Sequence, residues 1–216
     1  MRFTIVYDND AMSGYQKSWG FACLVGSHIL FDTGADLKTL LFNMNRMEID
    51  LNKINRIVLS HEHGDHTGGI DIVDQLGEVR VFIPQSFSRG IKKKLAEKSN
   101  IEVVEVHGPQ EIASGITSLG EIGSMKEQSI VVETSRGLVV VTGCSHPGLH
   151  NILSIASQFG TLYGAIGGFH GFDRLEYLSD LQLIVPCHCT RNKRLILIKF
   201  PNTSEPCGVG CVFDIP

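Results

Sequence analysis

The chain has 216 residues, 43% of them hydrophobic and 19% charged, and a formal net charge of −4. That supplies one sizeable core, so a single domain over 1–216 is expected, and no stretch is basic enough to argue for a nucleic-acid partner. No apolar run approaches the roughly 20 residues of a membrane-crossing helix, and the opening Met1-Arg2-Phe3-Thr4-Ile5-Val6-Tyr7 reads as a strand rather than a signal peptide.

Strand patterns occupy about 2–8, 20–25 and 28–32, the last running into the turn Asp32-Thr33-Gly34. Residues 36–46 carry Leu37, Leu40, Leu41 and Met44 at helical spacing. A strand at Arg56–Leu59 leads into His61-Glu62-His63-Gly64-Asp65-His66, and Gly69–Leu76 reads as a helix. Val79–Ile83 reads as a strand stopped by Pro84, Ser86–Lys98 as a helix and Ile101–Val106 as a strand. Further strands are expected near 115–121, 128–134 and 138–142, with Gly137 in the turn between the last two. Pro147–Phe159 reads as a helix with proline near its first turn, and Leu162–Ile166 and Leu183–Val185 as strands. Arg191–Phe200 fits either helix or strand. Strands first and mixed elements after, in both halves, suit two sheets packed face to face with helices outside, an α/β (α+β) arrangement.

Residues that carry chemistry recur at strand ends. His61, His63, Asp65 and His66 follow the apolar run Ile57-Val58-Leu59. Imidazole and carboxylate together suit Zn²⁺, with Mn²⁺ or Fe²⁺ as alternatives. Gly143-Cys144-Ser145-His146 follows a second apolar strand and Cys187-His188-Cys189 a third. Separate strands that release donors at one sheet edge can build a shared site. His170, behind Gly167-Gly168-Phe169, suits a substrate contact or proton donor. His28, His107 and His150 lack this context, and Lys92-Lys93-Lys94 reads as a solvated face. Glu62 points to the opposite side of an extended segment from His61 and His63, which excludes it as a general base. The six cysteines form no disulfide framework. A reduced, cytoplasmic setting follows, with Cys207 and Cys211 read as mainly structural, although able to bind metal or to bridge.

His61-Glu62-His63-Gly64-Asp65-His66 resembles the HxHxDH signature of the metallo-β-lactamase superfamily, and Asp32-Thr33-Gly34 resembles the turn that precedes it there. More narrowly, Thr142-Gly143-Cys144-Ser145-His146-Pro147-Gly148, Gly167-Gly168-Phe169-His170 and Pro186-Cys187-His188-Cys189-Thr190 resemble a branch related to the dihydropterin-ribofuranosylaminobenzene phosphate synthases of methanopterin biosynthesis. The resemblance implies a four-layer αββα sandwich with a metal site at one edge. It implies two metal ions, one held by His61, His63 and His146 and the other by Asp65, His66 and His188. Cys144 stands where many members carry a bridging Asp, and a thiolate there favours softer ions. Asp32 is expected to fix a histidine tautomer from behind, and Arg191 to attract a phosphate.

Two metals about 3.5–4 Å apart can share and acidify a water. The leading expectation is therefore a metallo-hydrolase of a small-molecule ester or phosphoester, with Asp65 and His170 as catalytic residues. The alternatives are a transferase of pterin metabolism, in which the metals bind a phosphate or diphosphate leaving group, and a metal-binding or sensing protein without turnover. Nothing in the sequence argues for a particular oligomeric state.

Overall fold

A computed structural model describes residues 1–216. One sheet contains β1 (Arg2–Tyr7), β2 (Ala22–Val25), β3 (Ile29–Phe31), β4 (Arg56–Val58), β5 (Val79–Pro84), β6 (Ile101–Val106) and β13 (Val212–Asp214), in the order β13-β1-β2-β3-β4-β5-β6. The other contains β7 (Gln110–Ala113), β8 (Ile116–Ser118), β9 (Ile130–Thr134), β10 (Gly137–Thr142), β11 (Leu162–Gly168) and β12 (Leu183–Cys187), in the order β12-β11-β10-β9-β8-β7. Pairing is parallel from β3 to β6 and from β10 to β12, and antiparallel elsewhere.

Strands buried on both faces read as continuous apolar runs, because each side chain finds a core whichever way it points. Val139 and Val141 of β10 enter the core between the sheets with Phe3, Phe31, Phe82 and Ile166. Val140 points outward, against Leu149, Ile152 and Leu153 of helix α4 (Leu149–Ala156). Ile57 of β4 likewise faces an outer layer that holds Leu40 and Met44 of α1 (Leu37–Arg46) and Leu95 of α3 (Arg89–Ala96). Helices therefore cover the outside of both sheets, and the αββα sandwich is the observed architecture. No helix is long and apolar enough to cross a membrane.

Several elements differ from their sequence reading. Gly69–Leu76 forms a 3₁₀ stretch, Ile70–Gln75, and Pro84 is the last residue of β5, paired with Val106. α3 and α4 are shorter than their apolar patterns, and Arg191–Phe200 resolves into helix α5 (Lys193–Lys199). Short edge strands β7 and β13 carried too little pattern to stand out. One cysteine expectation is corrected: Cys187 and Cys207 form a disulfide. Their separation of 20 residues conceals that the tail doubles back, with Ser204 bridged to Ile184 and Val209 to Ala11.

Candidate metal centre

The parallel strands of both sheets point their C-terminal ends at one edge, and the chemistry-bearing residues leave the sheets there. Asp32 follows β3, Ser60 and His61 follow β4, Gly143–His146 follow β10, His170 follows β11, and His188 and Cys189 follow β12. Asp65 and His66 lie in the single-turn helix α2 (Gly64–Thr67). Sharp exits are needed to turn these side chains back over the strand ends. Asp32, Ser145, His170 and His188 accordingly adopt left-handed backbone at φ of 57°, 57°, 47° and 45°. Such conformations cost on the order of 1–3 kcal/mol each and persist where the surrounding fold enforces them.

Two donor sets result. His61, His63 and His146 bring one nitrogen each within 4.8 Å of the others, and Asp65, His66 and His188 do the same with an oxygen and two nitrogens. His66 Nε2 lies 3.2 Å from Cys144 Sγ, and the donor atoms of His61, His66 and Cys144 also fall within 4.8 Å of one another. The structure thus gathers every residue that the sequence nominated as a ligand.

The hydrogen bonds behind the histidines set their tautomers. Ser60 Oγ donates to Asp32 Oδ2 at 2.7 Å and faces His61 Nδ1 at 2.8 Å, while His66 Nδ1 meets Asp32 Oδ2 at 2.7 Å. With Asp32 and Ser60 accepting, both Nδ1 atoms carry protons and both Nε2 atoms are free to bind a cation. His146 Nδ1 donates to Glu127 Oε2 at 2.8 Å, and His188 Nδ1 to Asn9 Oδ1 at 3.0 Å. Burial, reinforced by the neighbouring His66, lowers the His61 pKa to about 3. Burial and His188 do the same to His66, also to about 3. Both are therefore neutral at pH 7, the form that a metal requires. Burial alone would raise the Asp65 pKa, but the adjacent His188 and His66 rings hold it below the usual carboxylate range. Burial raises Asp32 to about 7 against opposing contacts from His61 and Ser60.

Several contributors escaped the sequence reading. Glu127 is fully buried and accepts from the backbone N–H groups of Cys144, Ser145 and His146 at 2.8, 2.8 and 2.9 Å. Burial opposes its ionisation, yet the His146 hydrogen bond and these amides pull its pKa down to about 2. Asn9 holds His188 from both sides, through Nδ1 and through the backbone carbonyl at 3.0 Å. Asp8 accepts from the His188 N–H at 2.9 Å. Trp19 donates from Nε1 to Asp65 Oδ2 at 2.8 Å. Asp8-Asn9-Asp10 is a polar cluster at a strand end, the same signal that exposed the other sites; Glu127 and Trp19 carry no such mark.

The remaining nominated residues take varied positions. Glu62 turns away and accepts from the Ser88 N–H at 2.7 Å. His170 lies beside His146, with ring centroids 5.2 Å apart. Its pKa is lowered by burial and by His146. Both rings line a cleft of about 330 Å³ that also includes His150, Phe172 and Arg174. Arg191 is exposed, and its backbone N–H donates to His170 O at 2.8 Å.

Known proteins resemble this chain in sequence and in fold. The metallo-beta-lactamase superfamily pattern matches residues 14–162, and the chain belongs to that superfamily. It is 29% identical to the 7,8-dihydropterin-6-methyl-4-(beta-D-ribofuranosyl)-aminobenzene-5'-phosphate synthase of Methanocaldococcus jannaschii, over 77% of this chain and 76% of that one. An uncharacterized protein of the same organism is 26% identical over 98% of this chain and 99% of its own. Among solved structures, Tm1679, described as a metal-dependent hydrolase of the beta-lactamase superfamily, superposes with a TM-score of 0.84 at 26% identity, covering 100% of this chain and 99% of that one. The short form of human tRNase Z shares the fold alone, with a TM-score of 0.63 at 13% identity over 100% of both chains.

Proposed function

We propose that this protein is a metal-dependent hydrolase of a small-molecule ester or phosphoester, with His61, His63 and His146 holding one cation and Asp65, His66 and His188 another. One observation carries the reading: His188 Nε2 is buried without a hydrogen-bond partner and lies 3.3 Å from Asp65 Oδ2. A buried nitrogen left unpaired is costly unless something else fills its lone pair. The neutral His61 and His66 and the ionised Asp65 fit a divalent cation of the zinc type, and the sulfur of Cys144 strengthens that preference. Bound there, such cations supply Lewis acidity and an acidified water at neutral pH. Asp65 accepts a hydrogen bond from the attacking water and orients it. His170, which lines the cleft, offers a ring N–H to the leaving oxygen, and Arg191 draws an anionic group towards the same side.

The protein loaded with Zn²⁺ or Mn²⁺ is expected to hydrolyse bis-p-nitrophenyl phosphate or a p-nitrophenyl ester. His61→Ala should abolish the activity and Lys93→Ala, on the exposed side of α3, should preserve it. Two bound equivalents without turnover on either class would overturn the hydrolase reading. The second reading is a transferase of pterin metabolism, in which the cations bind a phosphate or diphosphate leaving group. Similarity to the archaeal synthase supports it, and coupling of a pterin diphosphate to an arylamine without ester hydrolysis would establish it.

A further inference from the structure

Two thiols meet against the buried half of the site. Cys144 Sγ is 3.3 Å from Cys189 Sγ, and both sulfurs lie within 4.8 Å of a His188 ring nitrogen. The backbone is tight here. A Cβ on Gly168, the last residue of β11, would collide with Gly143 O and stand 2.8 Å from Cys189 Sγ and 3.3 Å from Cys144 Cα. The strand between β10 and β12 thus omits a side chain where the Gly143 backbone and the Cys189 sulfur crowd it. The only other polar contact of Cys189 is a 3.9 Å approach to Cys144 O, too long to position a thiol by itself. His188 points independently to a cation here, because its side chain is fully buried and its Nε2 has no hydrogen-bond partner.

We propose that Cys189 joins Cys144 as a thiolate donor to the cation of the Asp65, His66 and His188 set. Two sulfurs make this position thiophilic: it takes Zn²⁺ or Co²⁺ in preference to Mn²⁺, which favours oxygen donors. The adjoining His61, His63 and His146 set contains no sulfur and lacks that bias. The inference rests on the metal-site reading above and not on the hydrolytic reaction.

Titration of the metal-free protein with Co²⁺, its Cys187–Cys207 disulfide intact and its other thiols unoxidised, separates these statements, because thiolate-to-cobalt charge transfer absorbs in the near ultraviolet and ligand-field bands lie in the visible. Wild-type protein is expected to show both. Cys189→Ser, with Cys189→Ala as its check, should lose about half of the near-ultraviolet absorption per bound ion while keeping the visible bands, since one of two thiolates remains. Cys211→Ser should change neither. Full near-ultraviolet absorption in both Cys189 variants overturns the proposal. Visible bands without charge transfer in the wild type would remove the thiolate proposal and leave the metal site standing. Absence of both would remove the metal site as well.

Discussion

The two donor sets sit side by side yet inhabit different surroundings. His63 is exposed and His146 half-buried, with His61 buried behind them, and His146 borders the cleft with His170. His66 and His188 are fully buried at their side chains, with Asp65 alone part-exposed, and the sulfur pair closes in behind them. Their supports differ too: Glu127 fastens His146, whereas Asn9 and Asp8 fasten His188. An open set suits exchange with solvent and substrate; an enclosed one suits retention of its ion. One edge of one sandwich therefore presents a more open donor set beside a more enclosed one.

The largest test of that contrast is Glu127→Ala. It strands three buried N–H groups, each costing about 1–3 kcal/mol, so a loss of at least about 3 kcal/mol is expected in denaturant unfolding. The open position should fail first, losing its ion while the enclosed one remains loaded in whatever protein stays folded. Asn9→Ala should do the reverse, lowering affinity at the enclosed position by about 10–100-fold, read by competition with a chromophoric chelator. Equal weakening of both ions by either variant would dissolve the distinction. Trp19 is the only tryptophan, and its ring lies 5.0 Å from that of His188. Its fluorescence is expected to track loading of the enclosed position alone. Trp19→Phe removes the N–H to Asp65 and should weaken that ion by about 1 kcal/mol.

The smallest effect sharpens the contrast by leaving it intact. Asp36 caps α1, accepting from the Thr39 N–H and the Tyr7 hydroxyl, both at 2.7 Å. Asp36→Ala should cost about 1 kcal/mol of stability without altering either ion. Burial alone would raise the Asp36 pKa, but the Thr39 and Tyr7 hydrogen bonds win and lower it. Its contribution is thus complete above the ordinary aspartate pKa and disappears as pH falls through the depressed value. Urea unfolding should accordingly show the variant and wild type converging in strong acid.

Much of this was legible in the sequence because strand ends announce themselves. An apolar run that stops at His or Asp marks a chain leaving a sheet, and three such places led to both donor sets. Asp8-Asn9-Asp10 had the same form and was overlooked for want of a histidine. Glu127 was invisible for a physical reason: a carboxylate serving backbone amides contributes through acceptor geometry, and local spacing does not encode which loop it will meet. The approach of Cys189 to Cys144 was hidden similarly, since it depends on how two strand ends meet across the bare backbone of Gly168. The Cys187–Cys207 disulfide required knowledge of where the tail runs.

Because the Glu127 carboxylate already draws together the amides of residues 144–146, the polypeptide assembles this part of the cage from its own atoms. A newly made chain is expected to organise that loop without waiting for an ion. Stripping with chelator should leave a folded vessel that can be refilled, even with a different element, without passing through the unfolded state.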